Sequence, residues 1–311
     1  MKQYLLIDIG GTFIKYSLTD AHAQKVSGGK VPTPLTGMDD LLAAIEGFAA
    51  PWKGQFEGCA VSMPGRIDTK RGIAHTGGIL SGFMWEQPFA ALLEQQLGVP
   101  VTIANDGKCA AAAEAWTGSL AGVDNGLVLV LGTGIGGGII LNGKVYMGSH
   151  SAAGEVSNLV TELGSMEGDD FRFDVIGKVA ESPVWAGKAS ASGLIAAYAA
   201  EKQLPAHGPQ PTGEEIFAAY AAGEPEACRA LKKFALGIIG LQSVLDVERV
   251  AIGGGISAAD ALLPAIQTEL DDLFARCPVF PMLEPELVRC RYGNDANMIG
   301  ALKLFFERNP A

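Results

Sequence analysis

The chain opens on an apolar run from Tyr4 to Ile9 broken by one carboxylate, Asp8; Gly10-Gly11 then turns it into a second β-prone run ending at Leu18. Two such runs around a glycine turn predict a β-hairpin. Leu41 to Ala50 has apolar residues at helical spacing and predicts an amphipathic helix. Phe56 to Met63 is a short continuous apolar run closed by Pro64-Gly65, the pattern of a buried strand. Pro88 to Leu97 predicts a helix and Val99 to Ala104 a short strand. Asn105-Asp106 supplies helix-capping side chains ahead of an alanine-rich helix through Trp116, stopped by Gly118.

The second half begins in the same way. Residues 127–147 predict a strand, a glycine loop and a β-prone continuation with an Asn142-Gly143 turn. Helices are predicted at about 190–202, 213–221 and 226–246, and a strand from Arg249 to Ile252 enters Gly253-Gly254-Gly255. A helix at about 258–275 and a last one from Asn297 to Arg308 complete the pattern, while 205–213 reads as a surface loop. The two glycine hairpins form an internal echo, read as two lobes. The first spans 1–118, with a C-terminal helix at 297–311 packing back on it, and the second spans 119–296.

Composition narrows the classes. A chain of 311 residues that is 48% hydrophobic, with 41 glycines, fits a turn-rich α/β enzyme with a substantial core. Its 34 acidic and 23 basic residues leave a net charge of -11, which repels phosphate backbones and anionic membranes and argues against nucleic acid and membrane partners. The N-terminus enters a strand directly, with no signal-peptide pattern, and no apolar run reaches the roughly 18–20 residues of a spanning helix; the cytoplasm is the expected location. Cys59, Cys109, Cys228, Cys277 and Cys290 are scattered and read as buried free thiols, and His22, His75, His150 and His207 do not cluster, so no structural zinc is expected.

Three glycine loops leave apolar strands: Gly10-Gly11-Thr12, Gly132 to Gly138, and Gly253 to Gly255. Closely spaced phosphates can be held by inward-pointing backbone N–H groups, which requires residues without side-chain bulk. Gly132, Gly134 and Gly137 also match a dinucleotide fingerprint, but that motif should open a helix, and here Ile139-Ile140-Leu141 leads into a hairpin. Gly138 to Lys144 spells seven positions of a P-loop, yet Val145 stands where a Mg²⁺-binding hydroxyl belongs. Asp8 would either cap its turn or organise Mg²⁺ beside phosphates. Spacing leaves both open, and the three loops favour the metal. Asn105-Asp106 would cap a helix; equally, an Asp at a strand end can serve as a base for phosphoryl transfer, with Asn105 binding a neighbouring hydroxyl.

DIGGT at 8–12, Ser62-x-Pro64-Gly65-Arg66-x-Asp68, Asn105-Asp106, LGTGIGGG at 131–138, Gly154-Glu155 and Gly253-Gly254-Gly255 together resemble the ROK (repressor, open reading frame, kinase) sugar kinases, in the family's order across nearly the whole chain. The resemblance implies an α/β, two-lobed, actin-like (ribonuclease H-like) ATPase fold closing a cleft on sugar and ATP with Mg²⁺. It places Asp8, Gly10, Gly11, Thr12 and Lys15 at the first phosphate motif, Asp8 reaching Mg²⁺ through water. Thr133, Gly134, Gly136 and Gly137 form the second motif, and Gly254, Gly255 and Gly300 border adenosine. Gly65, Arg66, Asn105, Asp106, Glu155 and Asn158 line the sugar, with Asp106 as the base.

The chain also departs from the family. Where GEIGH and a cysteine-rich zinc loop are usual, it has Gly154-Glu155-Val156-Ser157-Asn158 and no cysteine between Cys109 and Cys228. A later sugar-binding glutamate falls at Ala186. This resembles a zinc-less branch whose members phosphorylate glucose, N-acetylmannosamine or β-glucosides. The departures keep open a sugar-sensing protein without catalysis, or a non-sugar acceptor. Relatives are often dimers, so a homodimer is expected by analogy.

Overall fold

The computed structural model describes residues 2–161, 183–205, 208–276 and 283–310. The strands and helices follow in the order β1 (Gln3–Ile9), β2 (Phe13–Asp20), β3 (Lys25–Pro32), α1 (Met38–Ala49), β4 (Cys59–Met63), β5 (Ile67–Asp68), β6 (Ile73–Ala74), α2 (Ser81–Met84), α3 (Phe89–Leu97), β7 (Val101–Asn105) and α4 (Asp106–Thr117). They continue as β8 (Gly126–Leu131), β9 (Ile135–Leu141), β10 (Lys144–Tyr146), α5 (Ala186–Ala189), α6 (Ala191–Glu201), α7 (Gly213–Ala221), α8 (Pro225–Leu245), β11 (Arg249–Gly254), α9 (Leu262–Ala275), β12 (Glu286–Arg289) and α10 (Ala296–Arg308). Among the described residues no helix is long and apolar enough to cross a membrane.

The chain falls into two compact units, one of Met1–Gly118, Val145–Ala153 and Asn294–Ala311, the other of Ser119–Lys144 and Gly154–Gly293. Residues 145–153 had been read with the second half; their place in the first unit follows from Val145 and Met147, which pack on the core of Tyr4, Leu6, Ala301 and Phe305.

The first sheet has the order β3-β2-β1-β4-β7 and the second β10-β9-β8-β11-β12. In both, an antiparallel hairpin leads off one side of the first strand (β1–β2, β8–β9) and parallel strands lie on the other. The short sequence echo thus reflects a shared topology. In the first unit, alternate residues of each central strand face opposite layers. Leu5, Ile7, Val61, Met63 and Ile103 join one core with Leu41 and Ile45 of α1 and Phe89 and Leu93 of α3. Leu6, Ala60 and Ala104 join the other with Cys109 of α4 and Leu302 and Phe305 of α10. Covering both faces explains why these strands read as continuous apolar runs rather than alternating ones.

Several elements escaped the sequence pattern, among them the short β5, β6 and α2, which are two to four residues long. β3 is exposed along nearly its whole length, so it has no apolar face to betray it. Its glycines let it lie close: a methyl at Gly28 would stand 2.4 Å from the Tyr16 carbonyl oxygen. β12, an edge strand, and the single turn α5 are four residues each, too short for a period to register. The helix expected from about 258 starts at Leu262, because Gly255–Ala258 first forms a 3₁₀ turn held by the Ser257 hydroxyl donating to the Gly254 carbonyl at 2.7 Å. Of the cysteines, Cys59 and Cys109 are buried free thiols as expected, Cys228 and Cys290 are only half-buried, and Cys277, like His207, lies outside the described residues.

Candidate functional site

In the first unit, β1, β4 and β7 run parallel, with Asp8 opposite Ser62 and Met63 opposite Asn105, so their carboxyl ends share one edge. The chain leaves β1 toward β2 and β3 on one side, and β4 has β7 on the other. Such a reversal opens a crevice at the strands' carboxyl ends, where ligands of open α/β sheets settle. The Gly10–Thr12 turn lies there. Gly10 N–H donates to the Phe13 carbonyl at 3.0 Å and the Thr33 hydroxyl donates to the Gly10 carbonyl at 2.7 Å, which fixes the turn while Gly11 and Thr12 stay exposed.

Asp8, at the end of β1, is only 6% exposed. Its two oxygens are held differently: Asn297 of α10 donates its amide to Oδ1 at 3.0 Å, and Lys15 Nζ stands 3.6 Å from Oδ2. A carboxylate of this kind beside an open glycine turn fits Mg²⁺, which keeps most of its waters and takes one or two carboxylates plus phosphate oxygens. Among the described residues no group of three or more His, Cys, Asp or Glu could cage a metal.

Gly65 has a φ of 103°, and a methyl on it would fall 2.4 Å from the Thr76 carbonyl oxygen, so both backbone and space demand glycine. Its carbonyl accepts from Asn105 Nδ2 at 2.9 Å, while Asn105 Oδ1 caps α4 by accepting from Lys108 N–H at 3.2 Å. Asn105 is therefore engaged at both ends of its side chain and ties the Gly65 turn to the start of α4, while its amide keeps a second N–H beyond the one given to Gly65. Asp106, the first residue of α4, is half-buried, and its Oδ1 accepts from Gly107 N–H at 2.8 Å. Burial pushes the Cys109 thiol up, and the charges of Asp106 and Asp8 add to it.

Arg66 donates its backbone N–H to the Thr76 hydroxyl at 2.9 Å, and its guanidinium lies 3.9 Å from Glu86. The other oxygen of Glu86 pairs with His75 Nδ1 at 2.7 Å. Glu86 adopts a left-handed φ of 53°. The sequence reading missed His75 and Glu86, eleven positions apart, because neither stands in a motif or a period.

The second unit repeats the reversal between β8 and β11, whose ends meet in register at Leu131 and Gly254. Gly132 and Thr133 are exposed, and Gly132 N–H closes the loop on the Gly134 carbonyl at 3.0 Å. The first turn of α6 abuts this loop, with Ala191 N–H donating to the Gly132 carbonyl at 2.9 Å. Gly254 has a φ of 91°, and a methyl there would lie 2.1 Å from the Leu131 carbonyl oxygen; Gly255, beside it, faces open space. Two glycine loops on neighbouring strands thus present backbone at one edge.

Other glycines serve packing. A methyl at Gly137 would sit 2.2 Å from the Gly154 carbonyl oxygen, so Gly137 lets the segment bearing Glu155 lie on β9. Ser157 bridges the same two segments, accepting from Ile135 N–H at 2.8 Å and donating to its carbonyl at 3.0 Å. Gly136, next to it, is half-buried; Glu155 and Asn158 are exposed, and Ala186 is buried in α5. Gly300 was expected beside adenosine. It lies in the crossing of α10 over α4, where a methyl would collide with the Cys109 carbonyl oxygen at 1.6 Å. Close helix approach accounts for that glycine.

The ROK family profile matches residues 4–308. The chain belongs to the ROK family. A beta-glucoside kinase of Listeria innocua is 30% identical to this ROK protein over 308 residues, covering 96% of each chain. An N-acetyl-D-glucosamine kinase of Yersinia pseudotuberculosis is 28% identical, over 96% of this chain and 97% of the relative. Among solved structures, a ROK hexokinase from Thermus thermophilus matches with a TM-score of 0.75 and 26% identity, covering 99% of this chain and 100% of that one. A ROK glucokinase from Streptomyces griseus, in complex with glucose and AMPPNP, matches with a TM-score of 0.73 and 25% identity, covering 97% and 98%. The fold is the two-lobed actin-like ATPase fold of these sugar kinases, as the motifs implied.

Proposed function

We propose that this protein transfers the γ-phosphoryl group of ATP to a sugar hydroxyl, with Asp106 as the general base. The observation that carries the reading is the edge of the first sheet, where Asp106, the Gly65 turn stapled to it by Asn105, the exposed Gly10–Thr12 loop and the buried Asp8 carboxylate end neighbouring parallel strands. Phosphoryl transfer asks a protein for position, charge neutralisation and a base near the attacking hydroxyl, and little covalent chemistry. Asp106 takes that hydroxyl's proton. Gly65 and Arg66 border the sugar, with His75 and Glu86 holding Arg66; the family resemblance adds Glu155 and Asn158 as sugar-binding candidates.

Exposed backbone at Gly11 and Thr12, with Lys15, holds phosphates in the first unit. The loop Gly132-Thr133-Gly134, exposed at Gly132 and Thr133, and the backbone at Gly254-Gly255 are the second unit's own candidates for nucleotide contacts. Mg²⁺, when bound with ATP, neutralises the phosphate oxygens as charge shifts onto them, and Asp8 would hold it through water. The acceptor is a hexose or hexose derivative, such as glucose, N-acetylmannosamine or a β-glucoside, phosphorylated at O6. This rests on the kinase names of the relatives and on the family resemblance, which by analogy also supports a homodimer; the net charge of -11 argues against nucleic-acid and membrane partners, in keeping with a cytoplasmic location.

A coupled assay of ADP release over glucose, mannose, N-acetylmannosamine, N-acetylglucosamine, fructose and cellobiose tests the proposal. At least one sugar should drive ADP release, with the sugar phosphate seen by mass. Sugar binding without ADP release would establish a sensor instead, and ADP release independent of sugar would point to hydrolysis or another acceptor.

A further inference from the structure

Asn297 lies in the first turn of the last helix, 289 positions from Asp8, yet its side-chain amide donates to Asp8 Oδ1 at 3.0 Å. We infer that Asn297 is a positioning residue for the metal-nucleotide site. It pins one oxygen of Asp8 so that the other, Oδ2, is directed to the cation's water shell. The inference rests on the reading of Asp8 given above.

The geometry supports a division of labour between the two oxygens. A carboxylate can turn about its Cβ–Cγ bond, and that freedom must be lost before it can hold an ordered shell of metal-bound water. The neutral amide of Asn297 removes the freedom without competing for the site: it brings no charge, and as a donor it cannot itself ligate Mg²⁺ through that nitrogen. Lys15 is a different kind of partner. Its ammonium stands farther away, at 3.6 Å from Oδ2, and its side chain is 43% exposed, so it can leave Oδ2 and turn to a phosphate when cation and nucleotide arrive. The start of α10 adds its own effect, since the amide end of a helix favours a nearby anion.

The anchor is also rigid. α10 crosses α4 at the closest approach that glycine permits, at Gly300, one turn beyond Asn297. Leu302, Leu304 and Phe305 hold it in the core. The C-terminal helix thereby sets the orientation of a carboxylate near the N-terminus, by contacts that neither segment's local pattern contains. Groups that orient a metal's ligands through a second hydrogen bond typically change metal affinity or activity by about 10- to 100-fold when removed.

The test uses Asn297→Leu, which keeps the size of the side chain and deletes the donor, and Asn297→Gln, which retains a donor on a longer arm. Mn²⁺ binding to the full chain in the presence of ADP, followed by electron paramagnetic resonance, gives a readout independent of turnover. In N297L the Mn²⁺ dissociation constant should rise roughly 10-fold, with ADP binding in the absence of metal unchanged; N297Q should recover part of the loss. In turnover, N297L should need more Mg²⁺ for half-maximal rate, with the sugar KM unmoved. Unchanged Mn²⁺ affinity in a folded N297L overturns the inference. Should N297L fail to fold, Asn297→Ser replaces it, with the same two outcomes. Asp8→Asn measured alongside separates the two levels: if it too leaves Mn²⁺ affinity intact, the metal role of Asp8 fails; if only N297L is silent, the positioning role alone is wrong.

Discussion

Replacing Asp106 with Asn removes the carboxylate that would take the proton. The side chain keeps its size, and its amide oxygen can still accept from Gly107 N–H, now at 2.8 Å from Oδ1. The Asn105 cap of α4 and its link to Gly65 do not involve residue 106 and stay in place. At the helix N-terminus the variant loses one negative charge, worth about 0.3–1 kcal/mol, or a few degrees of melting temperature in a chain of this length. What it loses chemically is the base. A positioned acid or base contributes roughly 100- to 10,000-fold, which is about 2.7–5.5 kcal/mol of barrier at 1.36 kcal/mol per decade. The two effects differ enough to be told apart. In steady-state assays of ADP release, D106N should lose that factor in kcat with a much smaller change in the KM for sugar, and thermal unfolding should show a protein nearly as stable as its parent. Turnover of sugar at the normal rate by a folded D106N would refute the role given to this carboxylate. A loss of activity matched by a collapse in stability would refute the reasoning that its role in the fold is minor.

Two further outcomes probe the packing within each unit. Gly300→Ala forces a methyl to 1.6 Å from the Cys109 carbonyl oxygen, so α10 and α4 must separate; thermal or urea unfolding should show a loss of roughly 1–3 kcal/mol or more, and an unchanged stability would contradict the close crossing. Glu201 of α6 accepts from Arg229 and Lys233 of α8, and these bonds hold its carboxyl below the usual range. A carboxylate whose folded pKa is depressed contributes stability above its unfolded value of about 4.3 and loses it as pH falls through the folded one. Glu201→Gln should therefore cost up to about 1 kcal/mol at pH 7, discounted because Arg229 is half exposed, and nothing near pH 2–3. An equal deficit at both pH values in denaturant titrations would remove the ion pairs from the account.

Much of the architecture was legible from pattern alone. The hairpin around Gly10-Gly11, the buried strand before Pro64-Gly65 and the capped start of α4 at Asn105-Asp106 announce themselves because each is a local matter. A run of apolar residues, a turn residue and a cap need only their neighbours in the chain. Among the elements that went unread, β3 and β12 are edges of sheets, where exposure strips the pattern of its apolar half, and the rest are too short for a period to register. Candidate residues divided on the same principle. Asp8 and Asp106 stood out because a carboxylate at the end of a buried strand needs a reason, whereas His75, Glu86 and Asn297 carried no such mark.

The amino-acid sequence by itself determined which segments become strands, turns and helices, and therefore which residues arrive at the carboxyl ends of the parallel strands. It could not apportion the glycines. Gly11, Gly132 and Gly255 leave backbone exposed, while Gly137 and Gly300 admit another piece of backbone, and that difference depends on what lies across from each residue. Nor could it show that Asn105 spends its side chain on Gly65, or that Asn297 holds Asp8. Contacts between residues 40 or 289 positions apart are decided only when the sheet and its covering helices are packed, because packing, not periodicity, fixes which side chains meet.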